Sequence, residues 1–477
     1  MSAGRYETVI GLEIHVQLLT STKLFCACPA EFGGEPNSRI CPVCLGLPGA
    51  LPAVNREAVK MAVLLGTALG CDVRSRSVFA RKNYFYPDCP RNYQISMFDK
   101  PLCENGVVEL DSDDAPVRIR IERVHLEDDS GKLIHESDGG SLVDFNRCGV
   151  PLAEIVTMPD LRTPAEARML VKQLRQLVRY LGICDGNLEE GSMRCDVNVS
   201  LRNPGETELG TKTEIKNLNS FKAIESGLEA EIVRQAALLD AGKEIEQVTS
   251  LWDSQHRESV VMRSKEKAHD YRYFREPDLE DLVLDEGLLK KVESLMPELP
   301  RERRGRFVDQ YGLSDYDSVV LTSEKEIADY FEEVARLSGD PRSSSNWIMR
   351  EVMGELNNTG KDIRSFGVSP EGLSELIKEI ASGRISATAG GEVFGEMVRS
   401  DVEPGDAIAS LGLEQVSGED EISEMVGTVL EAAPDEVRRY REGERKLLGY
   451  FVGQVMKMSG GRANPSKVNE ILKERLH

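Results

Sequence analysis

No run of eighteen apolar residues occurs in this sequence, so nothing in it reads as a membrane-spanning helix and no membrane partner is expected. The start, Met1 to Glu7, has neither an apolar h-region nor an Arg/Ser-rich transit pattern, which leads to the expectation of a cytoplasmic protein. Without a leader, the ten cysteines argue for reduced thiols or metal ligands and against a disulfide framework. No P-loop or dinucleotide fingerprint is present. The nearest miss, Gly354 to Gly360-Lys361-Asp362, has one spacer too many, lacks the Ser or Thr, and falls in a stretch of helical period. A serine-rich amidase motif is missing too, since Gly139-Gly140-Ser141 is too short to count. There is no internal repeat and no low-complexity segment.

What the 477 residues do contain is enough apolar content, 40%, for two to four cores. Val9 to Leu18 has the two-residue period of a strand. Ile10, Leu12, Ile14, Val16 and Leu18 share one face; Val9, Gly11, Glu13, His15 and Gln17 share the other. Alone, such a strand reads most simply as half-buried, with its polar side in water. Its companions change that. Between Val117 and Lys132 the apolar phase slips by one residue: Ile119 and Ile121 are odd, Val124 and Leu126 even, so Arg123, His125 and Glu127 turn to the polar side. The slip predicts a bulge or strand break, features that collect beside active sites. A third strand from Met193 sets Arg194, Asp196 and Asn198 on one face, with Thr211 to Asn217 as its partner. Several carboxylates on one sheet face, with His and Lys nearby, suit a divalent cation holding a polyphosphate. Imidazole is not a favoured Mg²⁺ ligand, so His15 stands either outside the ion's own ligands or in a site that accepts Mn²⁺.

Cys26-Ala27-Cys28 and Cys41-Pro42-Val43-Cys44, joined by a short Gly/Pro/Asn loop, can bring four thiolates onto one tetrahedral Zn²⁺. All four ligands would then come from the protein, which makes the site structural. From Phe79 to Ser96, aromatics interleave with Arg81, Lys82, Asn83, Arg91 and Asn92; they read equally as a surface that stacks a nucleotide or tRNA end and as a turn-rich loop with core tyrosines. Helices are expected over residues 54–70 and from Thr163, which caps Pro164 and forms a capping box with Glu166; another should run from about Phe221 to Leu239. Strand signals end near Leu284, Pro297 to Arg304 marks a boundary, the period beyond is helical, and a hinge is expected at Ser400 to Gly405. Charge is uneven. The net −22 hides a tail from Arg438 with ten Lys and Arg against four Glu, a local +6 on a body of −28. Such a tail is either an anion-binding module or a solvated helical face.

The runs Gly11 to His15, Arg81 to Asp88, His125 to Lys132, Asp144 to Arg147, Glu189 to Asn198 and Lys216 to Phe221 closely resemble, in order and over essentially the whole chain, the B subunit of the aspartyl/glutamyl-tRNA amidotransferases. The resemblance implies an α+β protein: a glutamine-synthetase-like β-sheet cradle with a zinc loop (1–294), an all-α helical domain (295–402) and a small α-helical tail that binds tRNA (403–477). It implies ATP-dependent amidation of misacylated Glu-tRNA(Gln) and/or Asp-tRNA(Asn). The side-chain carboxylate is phosphorylated and ammonia then displaces the phosphate. By motif, Glu13, His15 and Glu127 match the Mg²⁺ site, Lys82 and Glu190 further catalytic positions, and Asp88, Glu154, Arg194, Asp196 and Asn198 positions for substrate and nucleotide. Cys26, Cys28, Cys41 and Cys44 match a zinc site that only some members keep. Arg462, Lys467 and Lys473 are the tail's candidate tRNA contacts. Where the family commonly reads Glu-Glu-Asp-Ala-Gly, this chain has Glu127-Asp128-Asp129-Ser130-Gly131, which puts the role of position 128 in question. Lacking an amidase motif, the chain is expected to receive ammonia from the amidase, or A, subunit of a heterotrimer completed by the small C subunit. Two alternatives remain beside this one: an archaeal-type E subunit, disfavoured because Leu284 to Pro297 leaves no room for its inserted domain, and a non-catalytic tRNA-binding adaptor. A stand-alone ammonia ligase acting on a small molecule is a third.

Overall fold

The computed structural model describes residues 5–110, 116–135, 139–264, 271–415, 418–460 and 463–476. Two compact units divide the chain, Met1–Leu299 and Pro300–His477.

In the first unit the opening strand, Glu7–Gln17, is the middle of nine. On one side it pairs antiparallel with Pro151–Thr157, followed by Val117–Asp128, Cys103–Leu110 and the short Asp72–Val73. On the other it pairs with Met193–Arg202, then Thr213–Lys216, Val248–Asp253 and the edge strand Glu258–Ser264. A central place is what its apolar alternation demands: Ile10, Leu12, Ile14 and Val16 are all fully buried. They join one core with Leu170, Val171 and Leu174 of helix Pro164–Tyr180 and with Ala62, Val63 and Leu65 of helix Arg56–Ala68. Truncating Ile10, Leu12 or Ile14 to Ala would cost about 2–5 kcal/mol. The expected helix starts are present, including the full Thr163/Glu166 capping box, and the third helix runs Phe221–Asp240. The first helix ends before Gly70, whose φ of 66° is the left-handed value that a Cβ disfavours.

The phase slip is a bulge. Val156 pairs with Arg123 but Thr157 pairs with Ile121, so Glu122 is the extra residue. Thr157 uses its Oγ1 to accept from the Leu12 N–H at 2.9 Å, tying the bulged end to the opening strand. A smaller sheet, Phe274–Arg275, Ala80–Asn83 and Tyr93–Ser96, stands beside the large one.

Within the second unit the described residues form helices only, from Pro300–Tyr311 to Pro465–Leu476. Its apolar side chains gather into two clusters, one from Phe307 to Ile408 and one from Ile422 to Leu476. The turn at Ser400 to Pro404 lies within the first, because Ala407 and Ile408 of helix Pro404–Leu411 belong to it. The helix Pro465–Leu476 starts where Asn464 accepts from the Ser466 and Lys467 N–H groups. No helix among the described residues is long and apolar enough to cross a membrane.

Candidate active site

The polar face of the large sheet is built by register. His15 stands opposite Glu154, which stands opposite His125; Glu13 stands opposite Asp196, and Asn198 opposite Glu214. Cross-strand partners share a face, so these seven side chains from five strands meet on one surface, together with Glu127 two residues along from His125. Six of the eight form two groups, each with its ligand atoms within 4.8 Å of one another: His15, Glu127 and Glu154, and Glu13, Asp196 and Glu214.

In the first group His15 Nε2 lies 3.4 Å from Glu127 and 3.7 Å from Glu154, while His125 Nε2 lies 3.1 Å from Glu154. Both carboxylates are buried. Burial and Glu154 push the Glu127 pKa up, but His15 and Lys82 outweigh them and it lies below the usual carboxylate range. Burial likewise opposes ionisation of Glu154, yet His125, His15 and Lys82 hold it well below that range. His15 answers in kind: burial disfavours its charge, but Glu154 and Glu127 raise its pKa to about 9. Lys82 faces the same pair from the small sheet, its pKa raised by Glu127 and Glu154 against burial, with its ammonium 5.2 Å over the Tyr271 ring. Two ionised carboxylates and one imidazole in a buried cluster suit Mn²⁺ or Mg²⁺. The buried His125 Nδ1 finds no hydrogen-bond partner among the described residues.

The second group offers oxygens only. Lys216 donates to Asp196 and lies 3.2 Å from Glu214, Thr249 Oγ1 donates to Glu214 at 2.9 Å, and Asn198 donates to Glu13 at 2.9 Å. Beside Glu13 a cavity of about 310 Å³ is lined by Gly11, Arg123, Asn198, Ser200 and Lys212 among others. The structure thus places Glu13 with Asp196 and Glu214 on one flank of the opening strand, and His15 with Glu127 and Glu154 on the other.

The three consecutive acids point three ways. Glu127 joins His15; Asp128 turns away to Arg91 and accepts from the Ile95 N–H at 2.9 Å. Buried Asp129 accepts from Arg194 at 3.0 Å and from Gln17 at 2.9 Å, with Arg147 at 3.5 Å. Arg194 is thus held beside the first group by an acid that sequence spacing did not single out. Asp88, its pKa raised by burial, sits by Ser130, and its backbone carbonyl accepts from the Gly131 N–H at 2.8 Å, outside both groups. Glu190 is exposed on the turn before Met193–Arg202, also outside both groups. Lys467 and Lys473 are exposed on the closing helix, and Arg462 lies outside the described residues. Sequence reasoning missed Glu214, although the alternation of Thr213 and Ile215 with Glu214 and Lys216 carries the signal.

The four cysteines converge, their sulfurs all within 4.8 Å. Cys41 and Cys44 Sγ are 3.9 Å apart, close to the ~3.8 Å edge of a zinc tetrahedron with ~2.3 Å bonds. The Cys26 thiol lowers the Cys44 pKa to about 5, while burial pushes Cys28 up to about 11. A donor set of four sulfurs at these spacings fits Zn²⁺.

Comparison with known proteins follows the same outline. A family described as the GatB/GatE catalytic domain matches residues 8–290, and one described as the GatB domain matches residues 329–476. A protein of Thermodesulfovibrio yellowstonii, named as the B subunit of aspartyl/glutamyl-tRNA(Asn/Gln) amidotransferase, is 52% identical over 468 residues, covering 98% of each chain. Proteins of the same name from Pelodictyon phaeoclathratiforme and Carboxydothermus hydrogenoformans are 51% and 48% identical, each over 99% of both chains.

Proposed function

This chain belongs to the B-subunit family of the aspartyl/glutamyl-tRNA(Asn/Gln) amidotransferases, and from that premise we propose that it carries the ATP-dependent step in amidating Glu-tRNA(Gln), Asp-tRNA(Asn) or both. The observation that carries the reading is the pair of acid groups side by side on the opening strand.

The γ-phosphoryl group of ATP passes to a side-chain carboxylate oxygen of the tRNA-bound residue, its bond to the β,γ-bridging oxygen breaks, and ADP leaves. The nitrogen of ammonia then bonds to the acyl carbon, the C–O bond to phosphate breaks, phosphate departs, and the nitrogen loses a proton. Divalent cations held by His15, Glu127 and Glu154 and by Glu13, Asp196 and Glu214 would neutralise the polyphosphate during transfer. Lys82 and Arg194 present fixed positive charge to the anionic carboxylate and phosphoryl groups, Arg194 steadied by Asp129. The cavity beside Glu13 gives the nucleoside room next to the all-oxygen group. Zn²⁺ at the four cysteines would brace the loop without taking part in chemistry.

Ammonia comes from the amidase, or A, subunit, with the small C subunit completing a cytoplasmic heterotrimer, since this sequence holds no amidase motif. The exposed lysines of the closing helix support a tRNA contact by the tail. The test is amide formation on each misacylated tRNA, by this chain with ammonium chloride and by the heterotrimer with glutamine. Amide formation that needs ATP in both settings is expected. Glutamine hydrolysis by this chain alone, or amidation without ATP, overturns the division of labour.

A further inference from the structure

We propose that Lys23 is the fixed counter-charge of the Cys26/Cys28/Cys41/Cys44 centre, a positioning residue that favours the metal-bound tetrathiolate over neutral thiols or disulfides. The proposal rests on the zinc reading above.

Lys23 is 0% exposed, one of the largest fully buried side chains among the described residues. Its ammonium donates to the Arg39 carbonyl at 2.8 Å, to the Phe145 carbonyl at 3.3 Å and to Cys44 Sγ at 3.8 Å. Three donors thus meet three acceptors, which satisfies hydrogen bonding but not charge. Both oxygens are neutral backbone carbonyls, and among the described residues no carboxylate pairs with this ammonium. A buried cation without an anion is costly. The sulfurs are the groups in contact that can supply one. Four neutral thiols do not, and neither do two disulfides. A divalent zinc on four thiolates carries two net negative charges, and Lys23 offsets one of them.

The surroundings keep the ammonium there. Lys23 N–H donates to the Cys28 carbonyl at 2.9 Å, and Leu24 N–H to the Gly149 carbonyl at 2.8 Å. Gly149, at a φ of 89°, lets the turn from Phe145 press on the lysine stem; a Cβ there would stand 3.3 Å from Lys23 Cδ. The Cys148 thiol closes the other side by donating to the Cys44 carbonyl at 3.3 Å. The same turn carries Arg147, whose guanidinium donates to the Ser130 and Gly131 carbonyls beside Asp129. Lys23 therefore sits where the cysteine loop and the rim of the active face are joined.

A packing role lowers Tm equally with and without zinc, a charge role more with zinc bound, and this makes the test. Full-length wild type, Lys23→Gln and Lys23→Met are each melted with zinc and after its removal, and zinc loss to a chromophoric chelator is timed. We expect about tenfold faster loss from both variants, the range seen for outer-sphere partners of metal ligands. We also expect a smaller zinc-induced rise in Tm, because losing the lysine costs the zinc-bound tetrathiolate, with its two net negative charges, more than it costs the metal-free cysteines, of which Cys44 is the one with a lowered pKa. Co²⁺ loading of Lys23→Gln should give the thiolate-to-metal absorption of wild type, since the ligands are untouched. Wild-type zinc retention in Lys23→Gln, or equal loss of Tm with and without zinc, overturns the proposal and leaves the zinc reading standing. Wild type that binds no zinc overturns both. Should Lys23→Met fail to fold, Lys23→Gln, which keeps a polar donor in the buried position without the charge, decides alone.

Discussion

The two acid groups on the opening strand differ in what balances them. Around Glu127 and Glu154 the compensating charges are an imidazole with its pKa at about 9 and the Lys82 ammonium, with His125 beside Glu154. Around Glu13, Asp196 and Glu214 they are the Lys216 ammonium and neutral donors from Asn198 and Thr249. The second group sets three carboxylates against one ammonium; the first sets two against an imidazolium and an ammonium. Only the first must give up a proton to use all its ligands. On the proposed reading, the first group's affinity for a cation would be set by pH and the second's by oxygen geometry. The largest test of this contrast is Glu127→Ala. It removes one of two carboxylates from the buried group and should lower amide formation about a hundred- to a thousandfold, in the range of losing a central transition-state stabiliser. Binding of tRNA should persist, and a tRNA-binding adaptor would show no loss of amidation. Rate and filter-binding measurements on one preparation check both.

The next effect reaches the first group without touching a ligand. Asp129→Asn keeps the side-chain shape but removes the charge that holds Arg194, and leaves Arg147 and Gln17 without their anion. Amide formation should fall about ten- to a hundredfold, the scale of lost support around a metal site. The magnesium dependence of the Glu13 side should move little. An equal shift in both would mean that the two groups act as one.

How much of this contrast is legible in the sequence depends on which interaction carries it. Ile10, Leu12, Ile14 and Val16 announce a strand core through their period, and the slip between Ile121 and Val124 announces the bulge at Glu122, because both are local consequences of side-chain alternation. The grouping of Glu13 with Asp196 and Glu214 is not local. It requires the order of strands in the sheet, which places the 193–202 strand and the 151–157 strand on opposite flanks of the opening one. The fates of Glu127, Asp128 and Asp129 were hidden for a similar reason: successive residues at a strand end diverge, and their partners Arg91 and Arg194 come from distant parts of the chain. Lys23 gave no pattern at all, since burial of a lysine is a property of what surrounds it.

The proton itself gives the third test. In metal-free protein the His15 pKa is raised from its ordinary 6.5 to about 9. The stability it contributes is complete below about 6.5 and is lost as pH rises through about 9. A cation that takes the imidazole nitrogen expels that proton, so its apparent affinity should climb about tenfold per pH unit until pH approaches about 9 and then level off. Titrating Mn²⁺ at several pH values against His15→Asn reads this directly. The variant should bind more weakly and with a flattened slope. A wild-type slope of zero would mean that the imidazole is no ligand.

The smallest effect belongs to the other side of the strand. Thr249 Oγ1 donates to Glu214 Oε2 at 2.9 Å, and both residues are buried. Thr249→Val keeps the volume but withdraws one donor from an ionised or metal-bound carboxylate. A hydrogen bond to a charged group contributes about 1.5–3 kcal/mol. Part of that is recovered because Lys216 still lies 3.2 Å from Glu214. Magnesium activation should therefore weaken about fivefold to tenfold, just below that range because of the part recovered. What makes the variant useful is where its effect should stop: the pH slope of Mn²⁺ binding, which reports on His15 across the strand, should stay at the wild-type value. If Thr249→Val flattens that slope, the carboxylates of the two groups share their cations, and the division drawn by the opening strand fails.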